Sequence, residues 1–159
     1  MTSYAFVNGN IVTPRGILSA ATIDVEGGVI VAIMERASAG AIDLDGGWLM
    51  PGFIDTHTHS EGDLLTDPQH AYGVRQGITT ELLGIDGMSY APLSPDNYRA
   101  YRRWLGGLLG LPPDDLDMSS VAAFRSHYDR KVAVNTGYLV PAATVRLEAA
   151  GFRDVPLAG

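Results

Sequence analysis

The chain has 159 residues, 46% of them hydrophobic and 18% charged, and its formal net charge is −7. That balance belongs to a globular protein with a core of its own, and an acidic chain without a basic cluster is unsuited to phosphate backbones or anionic membrane surfaces. Cysteine is absent, which removes disulfides and thiolate metal ligands.

The opening Met-Thr-Ser-Tyr-Ala-Phe has no basic stretch leading into an apolar one, so it does not read as a secretory leader. No apolar run approaches the ~18 residues that span a bilayer. Neither nucleic acid nor membrane is therefore expected as a partner, and the cytoplasm is the expected compartment.

The segment up to Leu49 reads as short strands and turns. Tyr4–Val7 is an apolar strand, Asn8-Gly9 a hairpin turn and Asn10–Thr13 its partner strand. Pro14-Arg15-Gly16 turns again, Ala21–Val25 alternates with period two, and Glu26-Gly27-Gly28 leads into the β-branched run Val29–Ile33. Gly46-Gly47 precedes Trp48–Met50. The expectation is a small antiparallel layer.

From Pro51 the pattern changes. Phe53-Ile54 reads as a short buried strand ending in Asp55, His57 and His59. Asp67-Pro68 signals a helix start, with Gly77 closing that helix after Gln76. Ile78–Leu83 is the next strand, running into Gly84-Ile85-Asp86-Gly87.

Ser94-Pro95 opens a second helix, with Tyr98, Tyr101, Leu105 and Leu108 at helical spacing toward a core. Ser119 or Ser120 caps a third, carrying Val121, Phe124 and Tyr128. Val132–Val134 reads as a third strand ending at Asn135, and a last helix covers Ala142 to Ala150 with Gly151 as its stop. Strands alternating with helices imply a parallel sheet, whose ligands gather at the carboxyl ends of the strands. His57, His59, Asp86 and Asn135 all fall at such ends.

His57 and His59 carry the chemistry. Residues i and i+2 of a strand face the same side, so two imidazoles would project in parallel from one strand end. Neutral imidazoles are usual ligands of zinc and similar divalent ions. A bare His-x-His is also compatible with an exposed turn. Here two of the chain's 4 histidines follow an apolar strand and sit among Asp55, Glu61 and Asp63. Asp55 stands where it would orient one ring.

The other two histidines, His70 and His127, fall in predicted helices and read as solvated, as do Arg75, Arg99, Arg102 and Arg103. Trp104 and Tyr101 read as core or interface. Ser89 and Tyr90 follow the second strand and are candidates to line a substrate pocket.

Pro51-Gly-Phe-Ile-Asp-Thr-His-Thr-His59 resembles the first barrel strand of the amidohydrolase superfamily, and the β-rich segment before it resembles that superfamily's small sandwich domain. Gln76-Gly-Ile-Thr-Thr80, and Gly84 through Ala91-Pro92, are similar to the N-acyl-D-amino-acid deacylase branch. Asn135-Thr-Gly137 and Gly151-Phe-Arg-Asp154 also look alike.

The resemblance implies residues 1–49 as a β-sandwich segment and 50–159 as the first three βα units of a metal-dependent TIM-barrel hydrolase. It implies a divalent metal, zinc before others, held by His57 and His59, and an N-acyl amino acid as the small-molecule substrate. Where the deacylase pattern has a ligating cysteine, this chain has Asp86. A carboxylate there suits ligation of a harder kind, and equally suits a turn between glycines.

A complete barrel has eight strands and about 250 residues, so the general base expected of the family has no counterpart among three βα units. The expectation is a fragment, inactive alone, that associates with itself or with a complementing chain. The alternatives are a non-catalytic interaction subunit or a cyclic-amide hydrolase of the hydantoinase or dihydroorotase kind. The latter branch usually needs a carboxylated lysine at a later strand end, and the single lysine, Lys131, precedes its predicted strand.

Overall fold

Gly27 and Gly28 both carry positive φ, 57° and 82°, the backbone that a two-residue hairpin turn demands. They join β2 (Gly16–Glu26) to β3 (Val29–Met34), and the Pro14-Arg15 turn joins β1 (Ser3–Thr13) to β2. The computed structural model describes residues 3–34, 42–154 and 156. It separates into two units, Met1–Pro51 and Gly52–Gly159. Parts of the predicted first segment, residues 1–2 and 35–41, lie outside the described residues.

In the first unit the sheet order is β3-β2-β1-β4, with β5 also paired to β1. The pairs β1–β2 and β2–β3 are antiparallel. The short strands β4 (Ile42–Asp43) and β5 (Trp48–Leu49) run parallel to β1, so the layer is mixed rather than antiparallel throughout. Ile11, Ala21, Ile23 and Val25 form the buried cluster, packed by Phe6, Leu18 and Leu49.

The predicted Asn8-Gly9 hairpin does not form. Asn8 has φ 57°, but β1 continues through it, and the pairing to β2 shifts register on either side of Gly9. One extra residue on β1 before Gly9 and one on β2 after it are absorbed as bulges. The Asn8 amide donates to Asp43 (3.0 Å) and the Asn10 amide to the Gly46 carbonyl (2.7 Å), so the two asparagines hold β4 and the following turn against β1.

The second unit is built on three parallel strands in chain order, β6 (Phe53–Asp55), β7 (Ile78–Leu83) and β8 (Asn135–Tyr138). Helices α1 (Glu61–Thr66) and α2 (Ala71–Arg75) lie between β6 and β7. Helices α3 (Pro95–Leu109) and α4 (Val121–Ser126) lie between β7 and β8, and α5 (Ala142–Ala150) follows. The sheet does not close: β6 and β8 are its edges among the described residues.

Several expectations shift here. One helix was expected after Asp67-Pro68, but α1 begins earlier, at Glu61, and the chain breaks before α2. Strand β6 was expected to be buried, yet Phe53 and Ile54 are 55% and 62% exposed, because β6 is an edge. The third strand starts at Asn135, not Val132. The Ala133 N–H is spent on the Pro68 carbonyl (2.8 Å), and ladder pairing to β7 begins only at Asn135 opposite Thr80.

On α3, Tyr98, Tyr101, Leu105 and Leu109 face inward, while Leu108 is exposed. Ser120 is the cap of α4, accepting the Ala123 N–H at 3.0 Å.

The core gathers Leu64, Leu83, Tyr90, Leu93, Tyr98, Phe124 and Tyr128 among others. Four of its tyrosines donate to backbone carbonyls, as buried hydroxyls commonly do. Tyr90 donates to the Gly110 carbonyl (2.7 Å), Tyr98 to Pro113 (2.6 Å), Tyr128 to Glu61 (2.8 Å) and Tyr138 to Ala91 (2.6 Å). Burial raises the pKa of Tyr98 and of Tyr138 to about 12, so all stay neutral donors.

Candidate metal centre

Strand β6 stops at Asp55. The Asp55 Oδ1 accepts the His57 N–H at 3.0 Å, turning the chain immediately after the strand. His57 and His59 therefore lie in a loop, not in the strand itself. Their rings are not parallel: the interplanar angle is 85° and the centroids are 5.9 Å apart. Asp55 serves this turn through the backbone rather than orienting a ring.

Across from them, β7 ends and Gly84 (φ 83°) leads into a single 3-10 turn, Ile85–Gly87. Asp86 sits in that turn at φ 57°, ψ 19°, the left-handed region that aspartate tolerates better than most residues.

The loop and the turn bring three side chains together. His57 Nε2 lies 3.1 Å from Asp86 Oδ2, and His59 Nε2 lies 3.3 Å from the same oxygen. All three ligand-capable atoms fall within 4.8 Å of one another, and no other group of three such residues occurs among the described residues. His57 and Asp86 are largely open to solvent, 64% and 49%, while His59 is 18% exposed.

This arrangement fits a divalent ion. Two atoms each about 2.1 Å from a tetrahedral centre are about 3.4 Å apart, close to the two separations from Asp86 Oδ2. Two imidazole nitrogens and one carboxylate oxygen are also a donor set that zinc accepts.

The surroundings are polar and buried. Glu61 has no exposed surface, and its Oε1 accepts the Gly84 N–H at 2.9 Å. Burial raises the Glu61 pKa against the opposing pull of that amide. The Ser89 hydroxyl lies near enough to favour the Glu61 carboxylate but outside hydrogen-bonding geometry. His59 Nδ1, the second Glu61 oxygen and the Ser89 hydroxyl are all buried without a hydrogen-bond partner.

Ser89 and Tyr90, candidates for substrate contact, both have 0% exposure. Ser89 exchanges backbone hydrogen bonds with the Thr144 hydroxyl (3.1 and 2.8 Å), and Tyr90 packs edge-on against Tyr98. Neither faces solvent beside the histidines in this structure.

His70 is not the solvated helix residue expected. It is 8% exposed, and its Nε2 lies 2.6 Å from Glu81 Oε1. The other Glu81 oxygen accepts the Ser60 hydroxyl. This buried network escaped the sequence reading, although Glu81 shares a strand face with Leu83, and a charge on a buried face implies a partner. His127 caps α4 and contacts the Asp117 carbonyl at 2.8 Å. Asn135 opens β8 rather than ending a strand, and its amide donates to the Thr79 carbonyl at 3.0 Å. Arg102 is tied to the Pro112 carbonyl rather than free in solvent.

No family model matches the chain. An N-acyl-D-aspartate deacylase of Alcaligenes xylosoxydans xylosoxydans is 42% identical over 106 residues, 55% of this chain and 21% of that protein. Among solved structures, the N-acyl-D-glutamate deacylase of Bordetella bronchiseptica superposes with a TM-score of 0.74 at 30% identity over 93% of this chain. That protein was crystallised with zinc and a phosphonate that mimics the tetrahedral intermediate. A D-aminoacylase whose structure defines a subset of amidohydrolases gives 0.65 at 30% identity over the same share. The chain spans 31% of the length of either solved protein. It is thus related, in sequence and in fold, to the N-terminal portion of the D-aminoacylase-type amidohydrolases.

Proposed function

We propose that His57, His59 and Asp86 hold a divalent metal ion, zinc before others, as part of a hydrolase that cleaves the linear amide bond of N-acyl-D-amino acids. The observation that carries this reading is the convergence of His57 Nε2 and His59 Nε2 on Asp86 Oδ2, at 3.1 and 3.3 Å, from two separate strand ends. The relatives' names, deacylases of N-acyl-D-aspartate and N-acyl-D-glutamate, support the substrate class.

His57, His59 and Asp86 would hold the ion, which would supply Lewis-acid activation of water and of an amide carbonyl. This chain's part is to fix the ligands. The loop after β6 presents two imidazole nitrogens, and the left-handed turn at Asp86 aims a carboxylate at them. Residues 1–49 are assigned to the sandwich segment and 50–159 to the first βα units of a barrel.

The cytoplasm stays part of this proposal. Among the described residues, no helix is long and apolar enough to cross a membrane. A cyclic-amide substrate gains nothing from the structure, since Lys131 donates to the Ser126 carbonyl (2.9 Å) before β8 begins.

The test is elemental analysis of the purified chain beside a His57→Ala/His59→Ala variant. Near-stoichiometric zinc that disappears in the variant is the expected result. A chain equilibrated with zinc that retains none, or that retains it equally in the variant, overturns the assignment.

A further inference from the structure

The histidine segment, residues 56–60, has no regular secondary structure. No strand ladder fixes it, yet a metal site needs its ligands held to within about 0.5 Å. Two buried carboxylates stand on either side of it. Glu61 starts α1 two residues after His59 and reaches across to the Gly84 N–H, two residues before Asp86. Glu81, 2% exposed on the inner face of β7, reaches the opposite way and accepts the hydroxyl of Ser60, the residue next to His59.

The second Glu81 oxygen is engaged by His70 at 2.6 Å, so the carboxylate is held at both oxygens. Gly73 packs so closely on His70 that a Cβ there would collide with the imidazole, which leaves the ring little room to turn. Each carboxylate is costly to bury, and removing its partners leaves that cost uncompensated. The two reach in opposite directions across one gap.

We propose that Glu61 and Glu81 are positioning residues, a reciprocal brace that locks the histidine loop and the Asp86 turn into one geometry. Glu61 ties the loop side to the turn, and Glu81 ties the strand before the turn to the loop. Neither needs to touch the metal. The brace exists without the ion, and its effect on ligation rests on the metal reading above.

The experiment uses amide hydrogen exchange by NMR on the 159-residue chain and on Ser60→Ala, Glu61→Gln and Glu61→Ala, with zinc affinity measured by chelator competition. Ser60→Ala is expected to speed exchange at residues 57–60 by about 10- to 100-fold, the loss of one hydrogen bond to a charged acceptor. The amides of α3 keep their protection. Glu61→Ala is expected to release the Gly84 amide, whereas Glu61→Gln, which keeps an acceptor oxygen and the side-chain shape, restores it. Zinc affinity falls about 10- to 100-fold in Ser60→Ala and Glu61→Ala.

Wild-type exchange at residues 57–60 and 84 in both alanine variants overturns the brace. So does equal loss of protection throughout α3, which would make these groups general packing. If the parent chain takes up no zinc, the metal reading fails while the exchange data still decide the brace.

Discussion

Asp86 is the residue on which two readings of the sequence diverge, a turn former between glycines or a ligand; the structure shows the turn, and ligation is the proposed role. Its backbone is left-handed and its Oδ2 faces both imidazoles. Asparagine also tolerates that backbone and has nearly the same shape, but it carries no charge. Asp86→Asn is therefore expected to leave stability within about 0.5 kcal/mol of the parent. Zinc affinity should drop by roughly two orders of magnitude, since about 10–16 kcal/mol of structural zinc binding is shared among some four ligands. Urea melts and chelator competition check the two halves. Unchanged affinity would return Asp86 to the role of turn residue alone. The histidines and Asp86 were legible because each lies just past an apolar strand. Glu61, Glu81 and His70 were not, because their partners lie 11 to 23 residues away and spacing along the chain does not reveal them.

At the scale of elements, β7 could be read directly from Ile78-Thr-Thr-Glu-Leu-Leu83, and α5 from its composition and the closing Gly151. β8 could not. Val132-Ala-Val134 has strand composition, but a strand is a pairing, and the Ala133 N–H bonds the Pro68 carbonyl outside the sheet. The Asn8-Gly9 pair similarly has hairpin chemistry, yet the long β1–β2 partnership outweighs it and leaves only bulges. The end of β7 is tightly constrained. Gly84 has φ 83°, and a Cβ there would collide with the Leu139 carbonyl, just past β8. Gly84→Ala adds about 1–2 kcal/mol of left-handed strain to displacement of a neighbouring backbone, so a total loss of about 3 kcal/mol or more is expected in urea denaturation. A loss below about 1 kcal/mol would mean that the β7–β8 junction yields easily and cannot be what holds the Asp86 turn.

For the whole molecule, the question is whether the arrangement can turn a substrate over by itself. Hydrolysis of an amide needs an activated water and a group that carries a proton to the leaving amine. In the proposed centre, His57, His59 and Asp86 would supply three positions around a metal. The nearby carboxylates are already committed: Asp55 to the His57 N–H, Glu61 to Gly84, and Glu81 to Ser60 and His70. Glu61 keeps one oxygen without a hydrogen-bond partner, but that carboxylate is fully buried rather than at the open face of the centre. The sheet is also open, with Phe53 and Ile54 exposed on β6 and Leu139 and Val140 exposed after β8. Edges of this kind are ordinarily covered by further strands, and the solved relatives are about three times as long as the part matched here. The zinc-loaded 159-residue chain is therefore expected to release no free D-amino acid from N-acetyl-D-aspartate or N-acetyl-D-glutamate above the buffer background. Turnover that is abolished by His57→Ala would show that one of the committed carboxylates leaves its partner during the reaction. Glu61, which is fully buried and keeps one oxygen without a hydrogen-bond partner, would be the first to substitute.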